Sequence, residues 1–180
     1  IQKLFGQLLI ALIFFYIFMR SGSSPVLDIH TLGIKINMGW FYGIFLLFVL
    51  VASSNAVNLT DGLDGLAGGL SAIAFLAFAL ISWNSKYVAG SEDIAIFCFI
   101  LVGSLLGFLL FNTHPAKVFM GDTGSLALGG TLASVAIITS HEITLIIVAG
   151  VFVVETLACI IQMISVRYFH RKVFLMAPLH

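Results

Sequence analysis

Residues 94–111, IAIFCFILVGSLLGFLLF, form an apolar run without a single charged side chain. A helix needs about 20 mostly apolar residues to cross the hydrocarbon layer of a membrane, with a range of roughly 17–25. Backbone groups in lipid must be hydrogen-bonded inside the protein, and this run is too long and too weakly alternating for a strand of a membrane barrel. It therefore predicts a membrane-spanning helix.

The same criterion identifies six segments that are long and apolar enough to span a membrane. They are residues 4–20, 40–57, 66–83, 94–111, 125–140 and 143–166. The composition agrees, because only 9% of the 180 residues are charged, whereas soluble domains carry roughly 25%. We therefore expect an all-α polytopic membrane protein in which residues 1–180 form a single transmembrane domain. The formal net charge of +0 gives no reason to expect nucleic acid as a partner.

An even number of spans places both ends of the chain on the same side of the membrane. That side also receives the loops near 58–65 and 112–124, while residues 21–39 form the long loop on the other side. The basic residues divide between the first side (Lys3, Lys117, Arg167, Arg171 and Lys172) and the second side (Arg20, Lys35 and Lys86). Because cytoplasmic loops carry more Lys and Arg, the first side is expected to be cytoplasmic. Alternating apolar and polar residues in 21–39 predict a small hairpin in this outer loop.

Two glycine-rich stretches concentrate acidic residues on the predicted cytoplasmic side. They are NLTDGLDGLAGG, which contains Asp61 and Asp64, and FMGDTGSLALGG, which contains Asp122. Each stretch precedes a span, and Thr60 or Asp61 is expected to cap the first of the two helices that follow. Asp122 or Ser125 is expected to cap the second helix. The N-termini of both helices would then present unpaired backbone N–H groups that favour phosphate.

Three carboxylates beside a phosphate group would repel it unless a divalent cation lies between them. Mg²⁺ commonly binds one or two carboxylates together with phosphate oxygens and water. Asp122 fits a direct metal ligand, while Asp61 and Asp64 could orient substrate hydroxyls, hold metal-bound water or accept a proton. Ordinary caps and turns are the alternative explanation for these residues. The residues alone indicate a cytoplasmic, metal-assisted phosphate site and no more.

Five further polar residues are candidates for binding or function, and two of them have a structural alternative. Asn58 and Asn112 could donate neutral hydrogen bonds to a sugar or base, and Lys117 could balance phosphate charge. Glu155 lies within the last span, where an acid is a functional candidate by default, although hydrogen bonding to a neighbouring helix or a break in the long segment explains it equally well. His114 could touch a substrate, or it could be an ordinary exposed loop histidine.

Three stretches resemble one family of membrane enzymes, and they occur in the same order and with sensible spacing. They are NAVNLTDGLDGLAGGLS, FNTHPAKVFMGDTGSLALGG and the terminal MAPLH. These motifs are similar to those of the polyprenyl-phosphate N-acetylhexosamine-1-phosphate transferases. The resemblance implies transfer of a phospho-sugar from a uridine diphosphate donor to undecaprenyl phosphate, with release of UMP and a requirement for Mg²⁺. MAPLH and GVFVVETLACIIQ favour the branch of the family that uses UDP-N-acetylmuramoyl-pentapeptide and makes lipid I for peptidoglycan.

The resemblance also implies roles for individual residues and a cellular location. Asp122 would be the metal ligand, and Asp61 and Asp64 would join it as catalytic residues. The donor would be bound by Asn58, Asp61, Asp64, Asn112, Phe119 and His180. Phe119 offers a ring face on which uracil could stack. The enzyme would lie in the bacterial inner membrane with its active site facing the cytoplasm, and a homodimer is compatible with this family.

The chain departs from the family pattern in two ways. The family carries an adjacent pair of aspartates on an earlier helix, and the sequence DD does not occur here. The family also has further histidines after the position of His180. Both departures lead us to expect a fragment that covers only the middle-to-late part of the enzyme and lacks its N-terminal part.

Three other functions are compatible with parts of the sequence. A sibling transferase that uses UDP-N-acetylglucosamine would share both acidic stretches. An ion-coupled transporter could carry cations on its acids, but transporter acids usually lie near the middle of the bilayer, whereas most of these acids fall at one face. A non-catalytic membrane scaffold would leave the two matched acidic stretches unexplained.

Overall fold

The computed structural model describes residues 2–22, 25–29, 33–85, 90–174 and 176–179. Its helices are α1 (Gln2–Arg20), α2 (Phe41–Thr60), α3 (Leu66–Asn84), α4 (Ser91–Asn112), α5 (Gly121–Ile138), α6 (Glu142–Val148) and α7 (Gly150–Ile164), and a π-helical turn (Ser165–Phe169) continues α7. Within the described ranges, six helices are long and apolar enough to cross a membrane. The predicted all-α polytopic membrane fold is confirmed.

The only strands in the described residues form a short hairpin between α1 and α2. Strands β1 (Val26–Ile29) and β2 (Ile34–Asn37) pair antiparallel, with Asp28 opposite Lys35. The Lys35 Nζ lies 3.2 Å from Asp28 Oδ2, so opposite charges face each other across the ladder. The hairpin expected from the alternating pattern in 21–39 is therefore confirmed.

Helix α2 is the centre of the bundle, because it packs against α1, α5 and α7, while α3 packs mainly against α4. The side chains of Leu46, Phe75, Phe78 and Leu132 are almost completely buried in the core between these helices. This arrangement gives the bundle two ends. The turns that contain Asp61, Asp64 and Asp122 lie at one end, which we call the acidic end, and the β1–β2 hairpin lies at the other, the hairpin end.

Helices α2 and α5 approach each other closely at Gly129. A Cβ atom at this position would lie only 2.5 Å from the carbonyl oxygen of Ser53 and 2.6 Å from the Cα of Ser54. The Ser53 hydroxyl donates to the Gly129 carbonyl at 2.8 Å, and the Ser54 hydroxyl donates to the Leu126 carbonyl at 2.9 Å. Small residues with interhelical hydrogen bonds are typical of close helix packing in membranes. The contact fixes how the end of α2 meets the start of α5.

At the hairpin end, a buried polar pair joins α2 to α6. The Tyr42 hydroxyl donates to the carboxylate of Glu142, and both side chains are almost fully buried. A buried polar group needs such a partner, because leaving it without one costs free energy. This pair connects the start of α2 to the segment that follows α5.

Several helix boundaries differ from the prediction. Helix α2 extends to Thr60 rather than residue 57, and α5 begins at Gly121 rather than residue 125. Asn58 and Asp122 therefore lie on helices, not in the loops 58–65 and 112–124. The last span, predicted as continuous over 143–166, is interrupted at Ala149 between α6 and α7.

The predicted caps of α3 and α5 are wrong. The N-cap residues are Gly65 and Met120, and neither makes a side-chain cap hydrogen bond. Thr60 instead donates to the carbonyl of Ala56 in its own helix at 3.0 Å. Ser125 lies inside α5, where its hydroxyl donates to the Gly121 carbonyl at 3.1 Å.

Candidate active site at the acidic end

Asn58 is at the centre of the polar contacts at the acidic end. Its Nδ2 donates to Asp122 Oδ1 at 3.1 Å and to the Ser125 hydroxyl at 2.9 Å. Its Oδ1 accepts a hydrogen bond from Lys3 Nζ at 2.6 Å. A single amide side chain in the last turn of α2 thereby connects the start of α1 with the start of α5.

Asp122 lies in the first turn of α5, and its side chain is 77% exposed. Oδ1 accepts the hydrogen bond from Asn58, while Oδ2 lies 3.7 Å from Lys3 Nζ. The preceding residue is Gly121, whose φ of 65° is a left-handed conformation that glycine adopts without steric cost. The carboxylate is therefore oriented by the protein while most of its surface remains accessible to a ligand.

Asp61 follows α2 directly, at its C-cap. Burial raises the pKa of its carboxyl group, the negative charge of Asp122 raises it further, and a hydrogen bond with Ser125 acts in the opposite direction. The charge of Asp122 thus makes it harder for Asp61 to ionise. A cation bound at this end of the bundle would relieve the repulsion between the two like charges.

Asp64 belongs to a second set of contacts, which joins the α2–α3 turn to residues 113–120. Its Oδ2 accepts a hydrogen bond from the Ala116 backbone N–H at 3.1 Å and lies 3.1 Å from Nδ1 of His114. The His114 side chain is 86% exposed. His114 is therefore an exposed loop residue, which was one of the two interpretations of the sequence. It also contacts Asp64, a predicted site residue.

Asn112, the last residue of α4, reinforces this connection from a buried position. Its Oδ1 accepts the backbone N–H of Gly65 at 3.0 Å, and its Nδ2 donates to the carbonyl of Val118 at 2.8 Å. Gly65 has a φ of 78°, which favours glycine at this turn. Both ends of the Asn112 amide are thus used within the protein, and its binding of a donor stays a prediction.

Of the remaining predicted residues, Phe119 and Lys117 lie in the connection between α4 and α5. Phe119 lies between α4 and α5 with 73% of its surface exposed, so its ring face is accessible. Lys117 is also exposed on this connection. His180 lies outside the described residues.

Among the described residues, no group of three or more His, Cys, Asp or Glu side chains is arranged to hold a metal ion. Mg²⁺ does not need such a group, because one or two carboxylates with phosphate oxygens and water are sufficient. Asp122, with Asp61 beside it, offers hard oxygen ligands and an excess of negative charge. These residues therefore fit Mg²⁺ that is bound together with a phosphate-containing ligand.

Two contacts at this site were not predicted. Lys3 was counted only as a basic residue at the end of a span, yet it contacts both Asn58 and Asp122. Ser125 was expected to be a cap, yet its hydroxyl lies between Asn58 and Asp61. The one available signal was that both residues lie on the same predicted side of the membrane as the acids.

An apolar groove of about 820 Å³ begins beside this site and runs between α1 and α5. Its lining includes Lys3 and Thr123 near the acidic end and Phe14 and Ile138 farther along the bundle. The wall between these ends is mostly apolar, with Ala127 and Gly130 among the small residues. The groove therefore connects a long apolar surface with the ammonium group of Lys3, which lies next to Asp122.

The match to a family profile and the similarity to individual proteins agree on one family. The sequence profile of glycosyl transferase family 4 matches residues 1–140. Proteins named phospho-N-acetylmuramoyl-pentapeptide-transferase from Geobacillus sp. (strain WCH70) and Geobacillus kaustophilus (strain HTA426) are each 58% identical over 179 residues, covering 99% of this chain and 54% of the relative. The protein of that name from Oceanobacillus iheyensis is 54% identical with the same coverage. The chain thus spans about half the length of the curated relatives it matches.

Proposed function

Because the chain belongs to glycosyl transferase family 4, we propose that the complete protein is a phospho-N-acetylmuramoyl-pentapeptide-transferase. It transfers phospho-N-acetylmuramoyl-pentapeptide from UDP to undecaprenyl phosphate, and the products are lipid I and UMP. The observation that carries the proposal is the 58% identity to relatives of that name over 99% of this chain. The cluster of Asn58, Asp61 and Asp122 at one end of the bundle supports it.

The proposed location is the bacterial inner membrane, with the acidic end facing the cytoplasm. The larger number of Lys and Arg residues at the acidic end supports this orientation. The β1–β2 hairpin in 21–39 then faces outward. A nucleotide-linked donor is a cytoplasmic compound, so the acidic end is the side on which it would bind.

The proposed binding of the donor uses the residues of both contact sets. Asp122 would hold Mg²⁺, with Asp61 close by, and the ion would neutralise the charge of the donor pyrophosphate. Asn58 keeps Asp122 oriented, and the first-turn amides of α5 favour the phosphate oxygens. Asp64, Asn112, Phe119 and His180 would complete the donor site, with the Phe119 ring stacking on uracil.

The acceptor would present its phosphate at the same site from the membrane. An apolar groove that ends at Lys3 suits a molecule with a long apolar chain and an anionic head, because the two parts meet matching surfaces. The acceptor phosphate attacks the sugar-linked phosphorus of the donor, and UMP leaves. Transfer between two phosphates depends mainly on positioning and on neutralising charge, which the residues of this site are suited to provide.

Release of UMP by the purified complete protein tests the proposal. We expect Mg²⁺-dependent release of UMP with UDP-N-acetylmuramoyl-pentapeptide and undecaprenyl phosphate, and little release when UDP-N-acetylglucosamine replaces the donor. A preference for UDP-N-acetylglucosamine would identify the sibling transferase instead. Ion flux in vesicles without any release of UMP would support a transporter.

The central role of Asn58 leads to a prediction about its amide. We expect Asn58→Ala to lower kcat/KM for UMP release by about a hundredfold, because Asp122 loses the hydrogen bond that orients it. The matched control is Asn84→Ala, since the amide of Asn84 donates only to its own helix, at the carbonyl of Leu80. Equal activity of the two variants would contradict the orienting role of Asn58.

A further inference from the structure

The chain reverses direction after α7 and runs back along that helix. Residue His170 has a φ of 53°, a left-handed conformation that ends the helical path. The Ser165 hydroxyl then donates to the carbonyl of Arg171 at 2.7 Å. Gln162 completes the reversal, because its Oε1 accepts the backbone N–H groups of both Val173 and Phe174 at 3.0 Å.

A second attachment lies farther along the same helix. Oε2 of Glu155 accepts the backbone N–H of Leu179 at 2.6 Å. Glu155 and Gln162 are separated by about two helical turns, or roughly 10.5 Å along the axis, and so lie on the same face of α7. Residues 174–179 can span at most about 17 Å when extended, which is enough to cover that distance. The tail is therefore held against α7 at two points.

The second attachment uses an unusual residue. Glu155 lies within the last span, in the second turn of α7, and is only 7% exposed. An ionisable group inside a membrane is costly to maintain and is a candidate for function. The interruption of this span is at Ala149, six residues away, so Glu155 does not form the break itself. One of its contacts is with the tail, at the backbone N–H of Leu179.

We infer that Glu155 is a positioning residue that anchors the segment 176–179, which is the described part of the MAPLH motif. The inference rests on the proposed function, in which His180 helps to bind the donor. The carboxylate acts as a hydrogen-bond acceptor for a backbone N–H and takes no part in proton transfer. Glutamine can accept the same hydrogen bond, whereas alanine cannot.

The test compares Glu155→Ala and Glu155→Gln with the wild type in the complete protein. Thr156→Ala is the matched control, because the Thr156 hydroxyl donates to Phe152 in its own helix. Hydrogen exchange of the peptide that covers 176–179 measures the attachment. The KM for UDP-N-acetylmuramoyl-pentapeptide, measured separately from kcat, reports its effect on the donor.

We expect Glu155→Ala to accelerate exchange in 176–179 and to raise the donor KM about tenfold or more, while Glu155→Gln and Thr156→Ala stay close to the wild type. Unchanged exchange in the alanine variant would overturn the attachment. Faster exchange with an unchanged donor KM would overturn the positioning role. A glutamine variant as defective as alanine would show that the charge or proton of Glu155 is what matters. A wild type that releases no UMP would refute the proposed function, and the exchange data would still decide on the attachment.

Discussion

Replacing Asp122 with asparagine in the complete protein is expected to lower the kcat/KM for Mg²⁺-dependent UMP release by about a thousandfold. The substitution keeps the size and the Oδ1 acceptor that faces Asn58, so the fold at the start of α5 should persist. It removes the negative charge next to Asp61, and with it the main attraction for a divalent cation. Titration of the remaining activity with Mg²⁺ should show that a higher Mg²⁺ concentration is needed for half-maximal activity.

The hairpin end provides a matched control for this substitution. Asp93 is an exposed acid in the first turn of α4, as Asp122 is in the first turn of α5. We expect Asp93→Asn to leave UMP release within about twofold of the wild type, because it lies at the opposite end of the bundle. Full Mg²⁺-dependent turnover in Asp122→Asn would remove Asp122 as the metal ligand.

A methyl group at Gly129 is expected to destabilise the bundle by about 3 kcal/mol. The new Cβ would lie within 2.6 Å of the backbone of α2, at Ser53 and Ser54, and backbone cannot move aside as a flexible side chain can. Separation of α2 from α5 would also move Asn58 away from Asp122. We therefore expect Gly129→Ala to lower the midpoint of thermal unfolding in detergent and to reduce activity together.

The next residue is a stringent control for that prediction. A Cβ at Gly130 would meet nothing within 4 Å. Gly130→Ala replaces glycine in a helix interior at an open position, and it should stabilise the helix by about 0.5–1 kcal/mol or leave stability unchanged. If both variants unfold at the same temperature, the α2–α5 contact does not limit stability.

The number and approximate position of the membrane helices could be predicted because hydropathy is a local property. Residues 66–83 were predicted as a span, and α3 covers Leu66–Asn84. Helix ends were harder to predict, because the apolar pattern stops before the helix ends. Asn58 is polar, yet α2 continues through it to Thr60, because its amide bonds with α5 and α1 in place of water.

The candidate site was predictable in its location but not in its internal contacts. Topology alone brings Asp61 and Asp122 to the same end of the bundle, and in the structure the charge of Asp122 contributes to the raised pKa of Asp61. The role of Lys3 depends on α1 packing beside α2, which no local pattern reveals. The cap of α3 was mispredicted for a similar reason: Asn112, which is distant in sequence, accepts the backbone N–H of the N-cap residue Gly65.

The two hydrogen bonds of Asn112 have a consequence for how a ligand would be received. They bind the turn before α3 and the connection before α5 to the same side chain, and Asp64 links the same two segments through Ala116. A shift of one segment alone would break these hydrogen bonds. An incoming molecule therefore meets a preorganised surface, and little conformational entropy is lost when it settles there.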